Sequence, residues 1–357
     1  MKLEELIKDE IRTKGRITFK RFMELALYHP ELGYYSRGPK IGKKGDFYTS
    51  VSVGSIFGRT LAKALKEMLE LSGSDTIVEL GAGEGTLAGD ILSSLGDDVK
   101  YIIVEKSPAF VKRQKEALKA FKNVSWIDEP QNLPPLSGVI FSNELFDALP
   151  VHLVEKKGRL FEVYVSLKGE NFCEILDEPS TEKIYEYFER LNVKLADDFR
   201  TEVNLEGAKL IKLLGEKLYR GFVVTIDYGY PSHELYMDYR NRGTLVCYYR
   251  HKVNDNPYQH IGEQDITAHV NFSALAAYGK DAGLEVCGFT NQANFLIDAG
   301  ILEEASSPDE ILKAKTLILP ESGMGEVFKV LIQHKGFDEK PRLSCLKNAP
   351  RRGSYEL

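Results

Sequence analysis

The sequence predicts an α/β fold: a Rossmann-like parallel sheet with an N-terminal helical extension and an inserted α+β subdomain. Three observations predict it. Short apolar runs alternate with helical patterns from residue 76 onward. The first run ends in the glycine-rich turn Gly81-Ala82-Gly83-Glu84-Gly85. A stretch of alternating residues and turns, 151–205, interrupts the series between its fourth and fifth runs.

The elements follow in order. Residues 4–29 carry Phe19, Phe22, Leu25 and Ala26 at helical spacing, and residues 54–72 repeat Phe57, Leu61, Leu65 and Met68 every three or four positions. Between them, 29–50 is rich in glycine and tyrosine without a period, and its aromatics argue for an ordered, functional loop. The first strand spans 76–80 and the helix 86–95 follows its glycine turn. A second strand covers 101–107. The next helix, 107–121, starts at Ser107 as N-cap with Pro108 in its first turn. Runs at 124–128, 138–145 and 221–230 are the third to fifth strands, and 284–291 and 328–334 complete the sheet. The insertion reads as an antiparallel meander with turns at Lys157-Gly158 and Lys168-Gly169, then a helix at 181–191. The chain thus divides into a helical region with a long loop (1–72), a core from 73–150 and 206–340, the insertion 151–205, and a basic, loosely ordered tail, 341–357.

Composition excludes several classes. The chain has 357 residues, 43% hydrophobic and 28% charged, which supports a sizeable core and argues against disorder. A net charge of −6 lacks the basic excess of a nucleic-acid binder. Cys173, Cys247, Cys287 and Cys345 form no C-x-x-C pair, so neither a disulfide framework nor a zinc site is expected. No apolar run is long enough to span a bilayer, and the first residues, MKLEELIKDEIRTKG, have no signal or presequence character. A cytoplasmic protein is expected.

The glycine turn follows a strand and opens a helix, where bare backbone and free N–H groups meet a ligand. A dinucleotide site asks for G-x-G-x-x-G, but position 86 is Thr and the third glycine comes one residue early. Glu79 precedes the first glycine by two residues. A carboxylate there would repel a pyrophosphate and suits the ammonium and sulfonium of S-adenosyl-L-methionine (SAM). Glu105, ending the second strand, can accept ribose hydroxyls of either NAD or SAM. Asp128, after the third strand, can accept from an adenine amino group. The expected order is SAM, then NAD, then a purely structural turn.

Ligands of open α/β sheets sit at the carboxyl ends of strands. Polar residues gather there: the glycine turn, Glu105, Ser142-Asn143-Glu144 with Asp147, and Asp227-Tyr228. Two carboxylates beside a SAM methyl can hold a guanidinium bidentately and draw charge from the attacking nitrogen. Glu144 and Asp147, three apart, would share a face of a helical turn. An N-cap and a solvated acid are the alternative, evenly balanced for Asp147. His251, His260 and His269 lie in one polar segment at a spacing unlike that of zinc ligands, which reads as an active-site or substrate loop.

Several stretches in this order resemble the MidA family of SAM-dependent methyltransferases, which includes a mitochondrial complex I assembly factor that dimethylates an arginine. They are HPELGYYSR, GDFYTS, VELGAGEGTLAGDIL, SNELFDALPVH, DYGY and GTLVCYYRHKVNDNPYQHIGEQDITAHVNFSAL, with GEVFKVLIQHKG near the end. The resemblance implies a seven-stranded class I methyltransferase core, with the inserted α+β subdomain on its substrate side, and a protein substrate methylated on arginine. It implies that Asp46, Phe47 and Thr49 close over the cofactor and that 243–273 contributes to the pocket. Asn143 and Glu144 would line the transfer site and Asp227 would be essential. One departure is Asn271, where the family leads one to expect an acid; a neutral amide speaks against a charge-based role. A SAM-binding assembly factor without turnover, a small-molecule methyltransferase and an NAD-dependent oxidoreductase are the competing readings.

Overall fold

A computed structural model describes residues 2–38, 50–320, 323–349 and 357. Strands are numbered along the chain. The helix Leu3–Lys14, β1 (Ile17–Thr18) and the helix Phe19–Tyr28 come first. The helix Ile56–Ser72 follows. Its Phe57, Leu61, Leu65 and Met68 are fully buried, each worth roughly 1.5–3 kcal/mol relative to exposure. Gly73, in a left-handed conformation, ends it.

The central alternation is β2 (Thr76–Leu80), β3 (Lys100–Val104), β4 (Val124–Ile127) and β5 (Leu136–Asn143), joined by the helices Thr86–Leu95 and Pro108–Ala117. The insertion holds β6 (His152–Lys157), β7 (Arg159–Lys168), β8 (Asn171–Asp177) and β9 (Phe199–Val203) with the helix Lys183–Arg190. After the helix Leu205–Lys217 the core resumes with β10 (Leu218–Tyr230). Then come β11 (Val246–Tyr249), β12 (Lys252–Asn254), β13 (Asp265–Thr267), β14 (Val270–Asn271), β15 (Glu285–Asn291) and β16 (Phe328–Lys335).

The main sheet runs β15-β16-β10-β5-β2-β3-β4, with β14 added beside the end of β10. The pairs from β10 to β4 are parallel, and β16 is antiparallel to both its neighbours. This is the expected seven-stranded class I methyltransferase sheet. Its register already assembles a site. Leu80 lies opposite Val104 and Ser142, and Asn143 opposite Ile226. Gly81, Glu105, Glu144 and Asp227 therefore fall one step further on, along one edge.

Two features differ from the sequence reading, and a third gives the role of Asn271. β1 pairs with β7, and Leu3, Ile7, Phe19 and Phe22 share a core with Val163 and Val165 of the inserted sheet and Cys247 and Ile266 of β11 and β13. The region 1–72 is thus split: residues 3–28 belong with the insertion, whereas Ile56–Ser72 packs with Phe141 and Phe222 of the central sheet. Hydrophobic faces choose partners across the chain, which spacing within one segment does not reveal. Second, the tail after 340 is anchored as far as it is described: Leu343 and Cys345 are buried in the main core, and Ser344 donates to Glu67 from its N–H and hydroxyl. Third, Asn271 caps the helix Phe272–Lys280, its Oδ1 accepting the Ala274 N–H. Among the described residues no helix is long and apolar enough to cross a membrane.

Candidate active site

The glycine turn opens a cavity of ≈ 200 Å³ at the carboxyl edge of the sheet. Gly81, Gly83 and Gly85 all have positive φ, at 68°, 52° and 79°. The turn lies close to the neighbouring loop: a Cβ on Gly81 would come within 2.8 Å of Leu145 Cδ1. Gly81 and Gly83 line the cavity, with Glu79, Glu105, Asn143 and Glu144. Tyr28, Tyr35 and Phe110 supply aromatic wall. The rings of Tyr28 and Tyr35 stack at 5.5 Å, and their hydroxyls are fixed from outside the sheet, Tyr28 donating to the Ala148 carbonyl and Tyr35 to the Asp265 carboxylate.

Glu79 is buried and takes a 2.7 Å hydrogen bond from the Tyr101 hydroxyl. Burial pushes its pKa up to about 7, against the pull of that bond. Glu105 accepts the Ser107 N–H on one oxygen and the Gln114 amide on the other. Burial raises its pKa, and these bonds oppose the rise.

Glu144 adopts a left-handed backbone, φ 53°, at the end of β5. Its N–H donates to the Ile226 carbonyl, and its carboxyl accepts from Asn143 Nδ2 at 3.0 Å. Burial, reinforced by the charge of Asp147, pushes its pKa up to about 8. The turn that follows is gathered on one atom. Asp227 Oδ2 accepts the N–H groups of Leu145 at 3.1 Å and Phe146 at 2.9 Å, with Asp147 at 3.4 Å. Asp227 is wholly buried, and burial, with the charges of Asp147 and Glu144, holds its pKa well above the usual carboxylate range.

Several sequence-predicted residues sit elsewhere. Glu144 and Asp147 do not share a helix face, because the left-handed Glu144 precedes a single 3-10 turn, Phe146–Ala148. Asp147 is buried off the cavity, where it receives the Tyr228 hydroxyl at 2.6 Å. Burial raises its pKa to about 6. Asp227 lies behind the cavity wall as a support. Gly85 faces the helix Pro108–Ala117, where a Cβ would lie 3.4 Å from Gln114. Asp128 is exposed and accepts from Asn132, one residue into the turn after β4, and is not among the residues that line the cavity. Asp46, Phe47 and Thr49 lie outside the described residues. Of the histidines, His269 packs against Tyr228 and Tyr230, and burial drops its pKa to about 4. Among the described residues no group of three His, Cys, Asp or Glu is placed to hold a metal ion.

The sequence reading missed Tyr28, Phe110 and Gln114 as site residues. Tyr28 and Phe110 carry only helical apolar spacing. Gln114 looks like any polar residue of an amphipathic helix, yet it is fully buried and touches both the turn and Glu105.

The lining also tests the ligand. Four carboxyl groups, Glu79, Glu84, Glu105 and Glu144, line the cavity, and among the described residues no lysine or arginine does. Glu84 is already paired with Arg113, but Glu79, Glu105 and Glu144 are buried acids that a sulfonium and an ammonium would draw into their charged form and a pyrophosphate would not. The bare backbone of the turn and the acid at the end of β3 complete a fit to SAM.

Comparison with known proteins agrees. The model of a family described as S-adenosyl-L-methionine-dependent methyltransferases matches residues 57–290. The mitochondrial protein arginine methyltransferase NDUFAF7 homolog of Caenorhabditis elegans is 29% identical, with 84% of this chain and 76% of that protein covered. Human NDUFAF7, of the same name, is 27% identical over 91% of this chain and 82% of its own length. A crystal structure from Burkholderia thailandensis, bound to S-adenosyl-homocysteine, superposes with a TM-score of 0.90 at 34% identity, covering 98% of this chain and 95% of that one. With the sheet order, the glycine turn and the acid-lined cavity, these matches place the chain in the MidA family of SAM-dependent methyltransferases.

Proposed function

We propose that this chain methylates the guanidinium of an arginine in a protein substrate. The observation that carries the reading is the Glu144 carboxyl on the wall of the cavity that the glycine turn opens. Relatives named protein arginine methyltransferases over most of the chain support it.

Gly81 and Gly83 present bare backbone to the cofactor, Glu105 receives its ribose hydroxyls, and Glu79 offsets its positive charge. When bound, SAM supplies an electrophilic methyl whose bond to sulfur breaks, with its electron pair, as a bond to the acceptor nitrogen forms. Glu144, with a pKa near 8 in the absence of substrate, holds a proton at neutral pH. An arriving guanidinium favours its carboxylate, and the displaced proton leaves to solvent. The carboxylate then orients the guanidinium and takes the N–H proton that the acceptor nitrogen loses as it is methylated. Asn143 Nδ2 steadies the Glu144 oxygen, and Asp227 holds the backbone beneath it. Tyr28, Tyr35 and Phe110 keep water from the reacting atoms.

The test incubates the protein with methyl-labelled SAM, arginine-containing peptides and cell lysate, then analyses acid hydrolysates. Labelled methylarginine that disappears with Glu144→Gln is the expected result. Label found only on lysine or on small metabolites would overturn arginine as the acceptor.

A further inference from the structure

Gln114 ties together two parts of the cavity that come from different strands. It lies on the helix Pro108–Ala117 and is fully buried. Its Nε2 donates to the Gly83 carbonyl at 2.9 Å and to Glu105 Oε2 at 3.2 Å. Its Oε1 accepts from Trp126 Nε1 at 3.0 Å, on the neighbouring β4. The amide can face only one way. An indole N–H only donates, whereas a carbonyl and an ionised carboxylate only accept. Turning the amide over would break all three bonds at once. The helix also lies against the turn, where a Cβ on Gly85 would be in van der Waals contact with the Gln114 Cα, at 3.4 Å.

We propose that Gln114 is a positioning residue for the cofactor: its amide sets the spacing between the glycine turn and Glu105 and orients that carboxylate toward the ribose hydroxyls. This rests on the assignment of Glu105 to the ribose made above. Gln114 acts through Glu105 and the Gly83 carbonyl, and both of those residues line the cavity. Its hydrogen bond also favours the ionised form of Glu105 against burial, which disfavours it. Loss of the amide therefore lets Glu105 protonate at a higher pH.

Calorimetry on the full chain would compare S-adenosylhomocysteine with its 2′-deoxy analogue at pH 6 and pH 8, for the wild type, Glu105→Ala, Gln114→Met and Trp126→Phe. The wild type should prefer the hydroxylated ligand by about tenfold or more, as befits a hydroxyl on an ionised carboxylate. Glu105→Ala should erase that preference. Gln114→Met should cut it to roughly threefold or less, and further at pH 6 than at pH 8. Trp126→Phe, which keeps the amide and removes the donor that orients it, should fall between. A Gln114→Met protein that weakens both ligands equally, with the preference intact at both pH values, would reduce Gln114 to packing and overturn the proposal. Should Gln114→Met fail to fold, an unchanged preference in Trp126→Phe would overturn it equally. If wild type and Glu105→Ala show the same preference, the ribose assignment itself fails, and the proposal with it.

Discussion

The carboxyl group of Asp227 accepts the backbone N–H of Phe146 at 2.9 Å, so an acid near the end of β10 holds the turn that follows β5. The same oxygen takes the N–H of Leu145. Asp227→Ala would leave these buried donors unmet, at a cost of about 3 kcal/mol. Urea denaturation should show that loss, and methyl transfer should fall with it, because Glu144 is the residue before the turn. Full stability in the alanine variant would show that the turn is held by something else.

Glu144 makes two coupled predictions. If its carboxylate is the active form, kcat/KM should rise with pH to a plateau, with an apparent pKa near 8 for the free enzyme. Glu144→Gln should lose about a hundredfold or more of the activity, together with that pH limb.

The second concerns stability. Between the ordinary glutamate pKa and about 8, the folded chain holds a proton on Glu144 that the unfolded chain has released. Stability from this group is therefore present at low pH and falls as pH rises through that window. Glu144→Gln should melt above the wild type at pH 8, and the gap should close toward pH 5. A glutamine variant less stable than the wild type at pH 8 would contradict the burial argument.

Glu79 should tie cofactor affinity to pH. Its pKa near 7 means that the charged form, which attracts a cationic ligand, fills in as pH rises through neutrality. Tyr101→Phe removes the 2.7 Å hydrogen bond that favours that form, so the midpoint of SAM affinity should move to higher pH. Binding curves for the two proteins share the cofactor's own titration, so the difference reports Glu79. Superimposable curves would count against Glu79 meeting the ligand's charge.

Gly83→Val should abolish SAM binding in a folded protein. Gly83 has φ +52°, a conformation that a β-branched residue adopts only at a steric cost. Calorimetry showing unchanged affinity, with an unchanged melting temperature, would mean that the turn tolerates a side chain where the ligand is expected.

Residue pattern along the chain was enough to read the sheet and to put the site at its carboxyl edge. Apolar runs of strand length alternating with helical faces leave few topologies, and the early third glycine with Glu79 specified a ligand of positive charge. Those are local properties: they depend on residues within a few positions of one another. Tertiary structure alone decided which acids face the cavity. Asp147 and Asp128 have the same chemistry as Glu144 and Glu105, yet one turns to Tyr228 and the other to solvent and Asn132. A left-handed residue at Glu144 and the end of β4 set those directions, and neither is visible as a period. Gln114 shows the same limit most clearly. Its role lies in three hydrogen bonds to Gly83, Glu105 and Trp126, whose convergence requires the folded sheet.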